Sequence, residues 1–143
     1  MRKRSKYRPY RVDPGAGMHA IAMQHGMADD QLLDLGMAIH TSIERMRLGM
    51  GIELDFHTLA AMVNVSLILC ERGVGPEYLD DIKIAQDALI EMAFHGVGYT
   101  ALSRAVQIHE AQLANITRDS ARAAMLEVRR RVDRGEVLNQ VAA

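Results

Sequence analysis

Tryptophan is absent from this chain, phenylalanine occurs twice, and one cysteine and three prolines are scattered over 143 residues. A single thiol cannot close an internal disulfide, so the fold is held by burial and the expected compartment is reducing. Cys70 stands in "VNVSLILCE", where a cysteine reads as a small buried hydrophobe. No apolar run approaches the ~20 residues of a membrane span, and the basic opening has no apolar segment behind it, so neither an anchor nor a secretory leader is expected. The chain is long enough for one domain with a real core, and 49 % hydrophobic residues can fill it.

The net charge of −1 conceals an uneven distribution. Arg2, Lys3, Arg4, Lys6, Arg8 and Arg11 crowd the first eleven residues with no acid among them. Residues 12–117 hold fourteen acids against five bases, and residues 118–143 hold six arginines against four acids. Basic ends therefore flank an acidic middle. Such a distribution steers a charged partner, or pairs one copy's end with another's middle.

Beyond the breaker "VDPGAG" the pattern is helical. Leu32, Leu35, Ile39, Ile43, Met46 and Met50 recur by threes and fours, which puts them on one helix face. Asp55 opens a second helix that runs to Glu71 and Arg72, apolar nearly all round and so central. Gly75-Pro76-Glu77 opens a third, whose stripe is Tyr78, Ile82, Ala85, Leu89 and Met92, with Gly96 and Gly98 ending it. Thr100 caps a last helix with Leu102, Val106, His109, Leu113 and Ile116 on its face. No glycine or proline interrupts it before Gly135. Unbroken, it would run about 52 Å, against ~30 Å for its neighbours. Either it breaks near "NITRDS", or its last turns project and expose Met125, Val128 and Val132 as a dimer seam. The expected architecture is all-α: an antiparallel four-helix bundle (18–143) with a flexible basic N-terminal arm (1–17) and a long C-terminal helix.

Chemistry has few footholds. His40 and Glu44, Glu53 and His57, and Glu91 and His95 are each four apart, but the Glu-x-x-His spacing of bundle metal sites and the His-Glu-x-x-His motif are both missing. His109 sits on an apolar stripe, where a buried, hydrogen-bonded imidazole is expected; Ser103, Thr117 and Ser120 lack an acid partner that would complete a triad. "GVGPE" and "GVGYT" lack the lysine of a phosphate loop. No metal, cofactor or catalytic residue is expected. The arm is different. Basic residues interleaved with Tyr7 and Tyr10 suit phosphates and unpaired bases; they equally suit an acidic protein surface, or a solvated tail.

Three stretches carry a resemblance: "KYRPYRVDP", "LAAMVNVSLILCERG", and "IAQDALIEMAFHG" running into "ALSRAVQIHEAQL". They resemble small helical proteins encoded by bacteriophages and prophages of proteobacteria, which open on a basic arm ending in Lys-Tyr-Arg-Pro. The resemblance implies a phage accessory protein, non-enzymatic and cytoplasmic in the host. It would bind and inhibit a host defence or nucleic-acid-processing complex as anti-CRISPR proteins do, and form a homodimer. Asp29, Asp30, Asp34, Asp80, Asp81 and Asp87 are the expected partner contacts, with Arg2, Lys3, Arg4, Lys6, Tyr7, Arg8 and Arg11 on an acidic patch or on phosphates. The alternative is a nucleic-acid-binding regulator that uses the arm and Arg129, Arg130 and Arg131.

Overall fold

The structure is a computed structural model that describes residues 29–136. The basic arm, from Arg2 to Arg11 with Tyr7, lies outside the described residues, as do the side chains of Asp29 and Asp30. Among the described residues there are five α-helices and no strand: α1 (Asp29–Arg47), α2 (Glu53–Glu71), α3 (Leu79–Ile90, entered through a 3-10 turn at Pro76–Tyr78), α4 (Gly96–Leu113) and α5 (Arg118–Asp133).

Helix α2 is the axis of the molecule. From Leu59 to Cys70 every residue except Ala61 is buried, as expected of a helix apolar all round. Helices α1 and α3 each pack on both α2 and α4, so they sit on opposite sides of the α2–α4 pair. Ile39 and Ile43 from α1, Ile82, Ala85 and Leu89 from α3, and Leu102, Ala105 and Val106 from α4 close around it. Among the described residues α2 alone is long and apolar enough to cross a membrane, but 72 % of that stretch is buried against its neighbours, the condition of a core helix.

The expected long last helix is two helices. The chain leaves α4 at Ala114, and Thr117 restarts it as α5 with an extended backbone and a side-chain oxygen that accepts from the Ser120 amide at 3.1 Å. This is an ordinary N-cap, made by a residue inside the "NITRDS" stretch. The break lets α5 fold back, chiefly onto α2. Val128 and Ala124 then pack with Val65, Ile68, Leu69 and Leu113 in a second cluster, and Val132 lies against both clusters. The expected Met125–Val128–Val132 dimer seam is therefore corrected: Val128 belongs to this chain's own core, 3 % exposed, and only Met125 stands out, 60 % exposed.

The connection between α3 and α4 also departs from expectation. Gly96 and Gly98 do not end a helix; they form the first turn of α4, and Thr100 lies within it, its hydroxyl donating to the Gly96 carbonyl. A Cβ on Gly98 would overlap the Ala93 carbonyl, so the glycine permits a close approach of two chain segments. Helix α3 ends instead at Ile90, with Met92 in the left-handed region at φ 54°.

Candidate functional site

Ser66, Cys70, His109 and Gln112 form one buried polar layer. Ser66 Oγ and His109 Nδ1 are hydrogen-bonded at 2.9 Å. Gln112 Nε2 donates to the carbonyls of Ser66 (3.2 Å) and Val74 (2.9 Å), and the Cys70 thiol donates to the Gly75 carbonyl. Burial pushes His109 down to about 4 and pushes the Cys70 thiol up, so both are uncharged at neutral pH. A serine–histidine pair is the beginning of a nucleophile, but Ser66 is fully buried and His109 is 4 % exposed, so no substrate reaches them. The layer is a buried core network that ties α2 to α4. His109 was legible as a buried, bonded histidine; its partner is Ser66, one of two polar residues in the apolar run of α2, and not Ser103, Thr117 or Ser120.

Among the described residues none of the three histidine–carboxylate pairs of the sequence bonds within itself. His40 meets Glu110 of α4 at 2.9 Å, while Glu44 takes Arg47 at 2.7 Å and the Tyr99 hydroxyl at 2.8 Å. Hydrogen bonds from Arg47 and Tyr99 hold the Glu44 carboxyl below its ordinary range. Glu53 and His57 stand at the start of α2, and Glu91 and His95 flank the turn into α4. Among the described residues no three histidine, cysteine or carboxylate side chains converge.

What remains is the surface. Asp34 is exposed on α1; Asp80 and Asp87 are exposed on α3, across the bundle from it. Asp81 turns toward α4 and lies 3.9 Å from Arg104, whose guanidinium stacks over Tyr78. The aspartates therefore do not form one cluster. Around Asp80 and Asp87, however, α3 carries exposed Ile84 and ends on the exposed C-cap Glu91, so that Asp80, Ile84, Asp87 and Glu91 run at steps of four, three and four. This is an acidic stripe with an apolar centre. No ion pair joins Asp80, Asp87 or Glu91 to another described residue.

The arginine cluster divides as well. Arg131 pairs with Glu71 of α2 at 2.7 Å and with Glu127 at 2.8 Å, and Arg130 also takes Glu127. The hydrogen bonds that Arg131 donates to Glu71 and Glu127 raise its guanidinium further, so it stays charged where it ties α5 to α2. Arg129 is exposed and unpaired among the described residues. Its neighbours on that face are Arg118, Arg122 and Met125, a grouping that the contiguous "RRR" run masks in the sequence. Helical spacing was the available signal.

A further surface is apolar. Leu48, Met50, Ile52 and Leu54 are exposed in and beside the α1–α2 connection, and Ile90, Met92 and Val97 in and beside the α3–α4 connection. The Tyr99–Glu44 bond, between the start of α4 and the end of α1, brings the two connections to one end of the molecule. Met50, expected on the α1 stripe, lies beyond the helix and faces out. Compared with known proteins, the chain matches no family model, no curated protein and no solved structure.

Proposed function

We propose that this chain is a non-enzymatic binding protein, a phage accessory factor that acts in the host cytoplasm on a defence or nucleic-acid-processing complex. The observation that carries the reading is the α3 stripe: Asp80, Asp87 and Glu91 exposed, without an ion-pair partner among the described residues, around exposed Ile84. Carboxylates at helical spacing mimic a short run of phosphates, and a basic nucleic-acid channel is the complementary surface. The exposed apolar side chains at the α1–α2 and α3–α4 end support the same reading, since such surfaces mark contact sites. The only Ser–His pair among the described residues is sealed, which fits a binder better than a hydrolase.

The test compares wild-type protein with the Asp80→Lys/Asp87→Lys/Glu91→Lys variant as bait in host lysate, then asks whether each bait blocks nucleic-acid binding by the captured complex. Capture and blockade by the wild type alone are expected. Equal capture by the reversed variant, or a captured complex that still binds nucleic acid, would remove α3 from the mechanism.

The alternative, a nucleic-acid-binding regulator, loses Arg130 and Arg131 to internal pairing but keeps Arg129 and gains Arg118 and Arg122. Fluorescence anisotropy on labelled duplex DNA, single-stranded DNA and RNA tests it. Salt-steep binding lost on Arg118→Glu/Arg122→Glu/Arg129→Glu would favour it over the first reading.

A further inference from the structure

Two exposed stripes on this molecule match each other residue for residue. On α3, Asp80, Ile84, Asp87 and Glu91 stand at relative positions zero, four, seven and eleven; Glu91 is the C-cap and still bonds its amide to the Asp87 carbonyl, so it keeps helical register. On α5, Arg118, Arg122, Met125 and Arg129 stand at the same four positions. Each stripe is about 16 Å long at ~1.5 Å per residue. Laid antiparallel, they place Asp80 opposite Arg129, Ile84 opposite Met125, Asp87 opposite Arg122, and Glu91 opposite Arg118. Laid parallel in the same register, they set Ile84 against Arg122 and Asp87 against Met125, which pairs charge with apolar surface twice. Glu77 could extend a shifted parallel register, but it lies in the 3-10 turn before α3 and is out of helical phase.

Within one chain the stripes do not meet. None of the ion pairs among the described residues joins α3 to α5, and α5 packs chiefly on α2. Ile84 is 53 % exposed and Met125 60 % exposed, each at the centre of its charged stripe. Lys83 and Asp119 stand to one side of their stripes and do not interrupt them.

We infer that the occupant of the α3 stripe is the α5 stripe of a second copy of this chain. The seam is antiparallel, with Ile84 against the other copy's Met125 at its centre and an ion pair between Asp87 and Arg122 beside it. The pairs from Asp80 to Arg129 and from Glu91 to Arg118 lie at its ends. Opposite charge at three positions and apolar surface at the fourth is the arrangement by which charged helix positions choose partner and orientation. This replaces the expected seam through Val128, which is occupied inside the chain, by one rotated toward Met125. The inference stands on purified protein alone and does not depend on a host target. If the proposed target does use the α3 stripe, it competes with self-association, because both require the same carboxylates.

The test is a charge-reversal cycle on the full chain, read by sedimentation velocity with circular dichroism to confirm folding. One variant carries Arg118→Glu, Arg122→Glu and Arg129→Glu; the other carries Asp80→Lys, Asp87→Lys and Glu91→Lys. The wild type is expected to self-associate with a dissociation constant on the order of 10 μM, and to weaken at least about tenfold from ~0.05 to ~0.5 M salt. Each variant alone should be at least about tenfold weaker, since like charges then face each other. An equimolar mixture of the two should regain association, because every position is again opposite in sign. A wild type that stays monomeric, self-association indifferent to both reversals, or a mixture that does not regain association would overturn the inference. The single changes Asp87→Arg and Arg122→Asp, run in the same cycle, decide the question in the same way should a triple variant fail to fold.

Discussion

Ser66 Oγ and His109 Nδ1 meet at 2.9 Å across helices 43 residues apart in sequence. Burial holds the imidazole at about 4, below its ordinary 6.5, so the unfolded chain takes up the proton first. Stability from this group is complete above about pH 6.5, falls as pH drops toward 4, and is flat below that. Between pH 7 and 4.5 the loss comes to about 2–3 kcal/mol. Urea midpoints measured across that range should fall for the wild type, and His109→Gln should flatten the profile whatever it does to the absolute stability. An unchanged slope in the variant would show that other groups govern the pH dependence.

Asp55 joins α1 to α2. Its carboxylate accepts from the Ile52 amide at 2.9 Å, Arg45 Nε at 3.0 Å and Ser42 Oγ at 3.0 Å. Burial alone would raise this carboxyl, but those three donors outweigh it and keep it below its ordinary range. Its contribution is therefore present above the ordinary carboxylate range and lost as pH falls below it, under the window of His109. Asp55→Ala should cost about 2–3 kcal/mol in chemical denaturation, because a charge-assisted cap and a helix–helix tie go together.

The reassignment of α5 predicts a contrast between two neighbouring apolar residues. Val128→Ala should destabilise by about 2 kcal/mol, since it opens space in the second cluster. Met125→Ala should change stability by less than about 0.5 kcal/mol, because its side chain already faces solvent. The opposite ranking would return α5 to an extended, projecting helix.

Arg131→Ala should loosen α5 without unfolding the bundle. The pair with Glu71 is partly exposed, so the expected cost is only about 1 kcal/mol. Hydrogen exchange should accelerate over residues 118–133 and stay unchanged over the inner turns of α2 and α4. Uniform acceleration would make α5 part of one cooperative unit.

The α3–α4 connection should respond with opposite signs to two small changes. Met92 has φ 54°, a conformation glycine adopts without penalty, and its exposed side chain packs little. Met92→Gly should therefore stabilise by about 1 kcal/mol. Gly98→Ala should destabilise by about 1–3 kcal/mol, because the methyl group overlaps the Ala93 carbonyl. Thermal unfolding of the two variants checks both.

Much of this molecule was open to reading one residue at a time. The steps of three and four that carry Ile39, Ile43, Ile82, Leu89, Leu102 and Val106 name the core faces of α1, α3 and α4, and the run from Leu59 to Cys70, apolar but for Asn64 and Ser66, names the central helix. His109 on an apolar stripe foretold a buried imidazole. These signals are local: helix periodicity and burial tendency live in short windows. The helix ends read less well. Gly96 and Gly98 have the composition of a stop yet form a start, because the backbone of Ala93 must pass close to Gly98.

The charged surface was the hardest to read, because a carboxylate's role depends on what faces it. Nothing in the spacing of Asp80 and Asp81 separates one that is exposed from one beside Arg104. Nothing in "RRR" separates Arg129, which is exposed, from Arg131, which clamps Glu71 sixty residues earlier. By itself the sequence determined that the chain is helical, which faces are apolar and which helix is innermost, since backbone periodicity and hydrophobic burial need no distant partner. Only the tertiary structure decided that Thr117 breaks the last helix, that Val128 turns inward, and which acids and arginines stay exposed without an ion pair among the described residues. Each of those outcomes depends on residues brought together from far apart in the chain, and ion pairing and core packing are energies between such residues, not within a window.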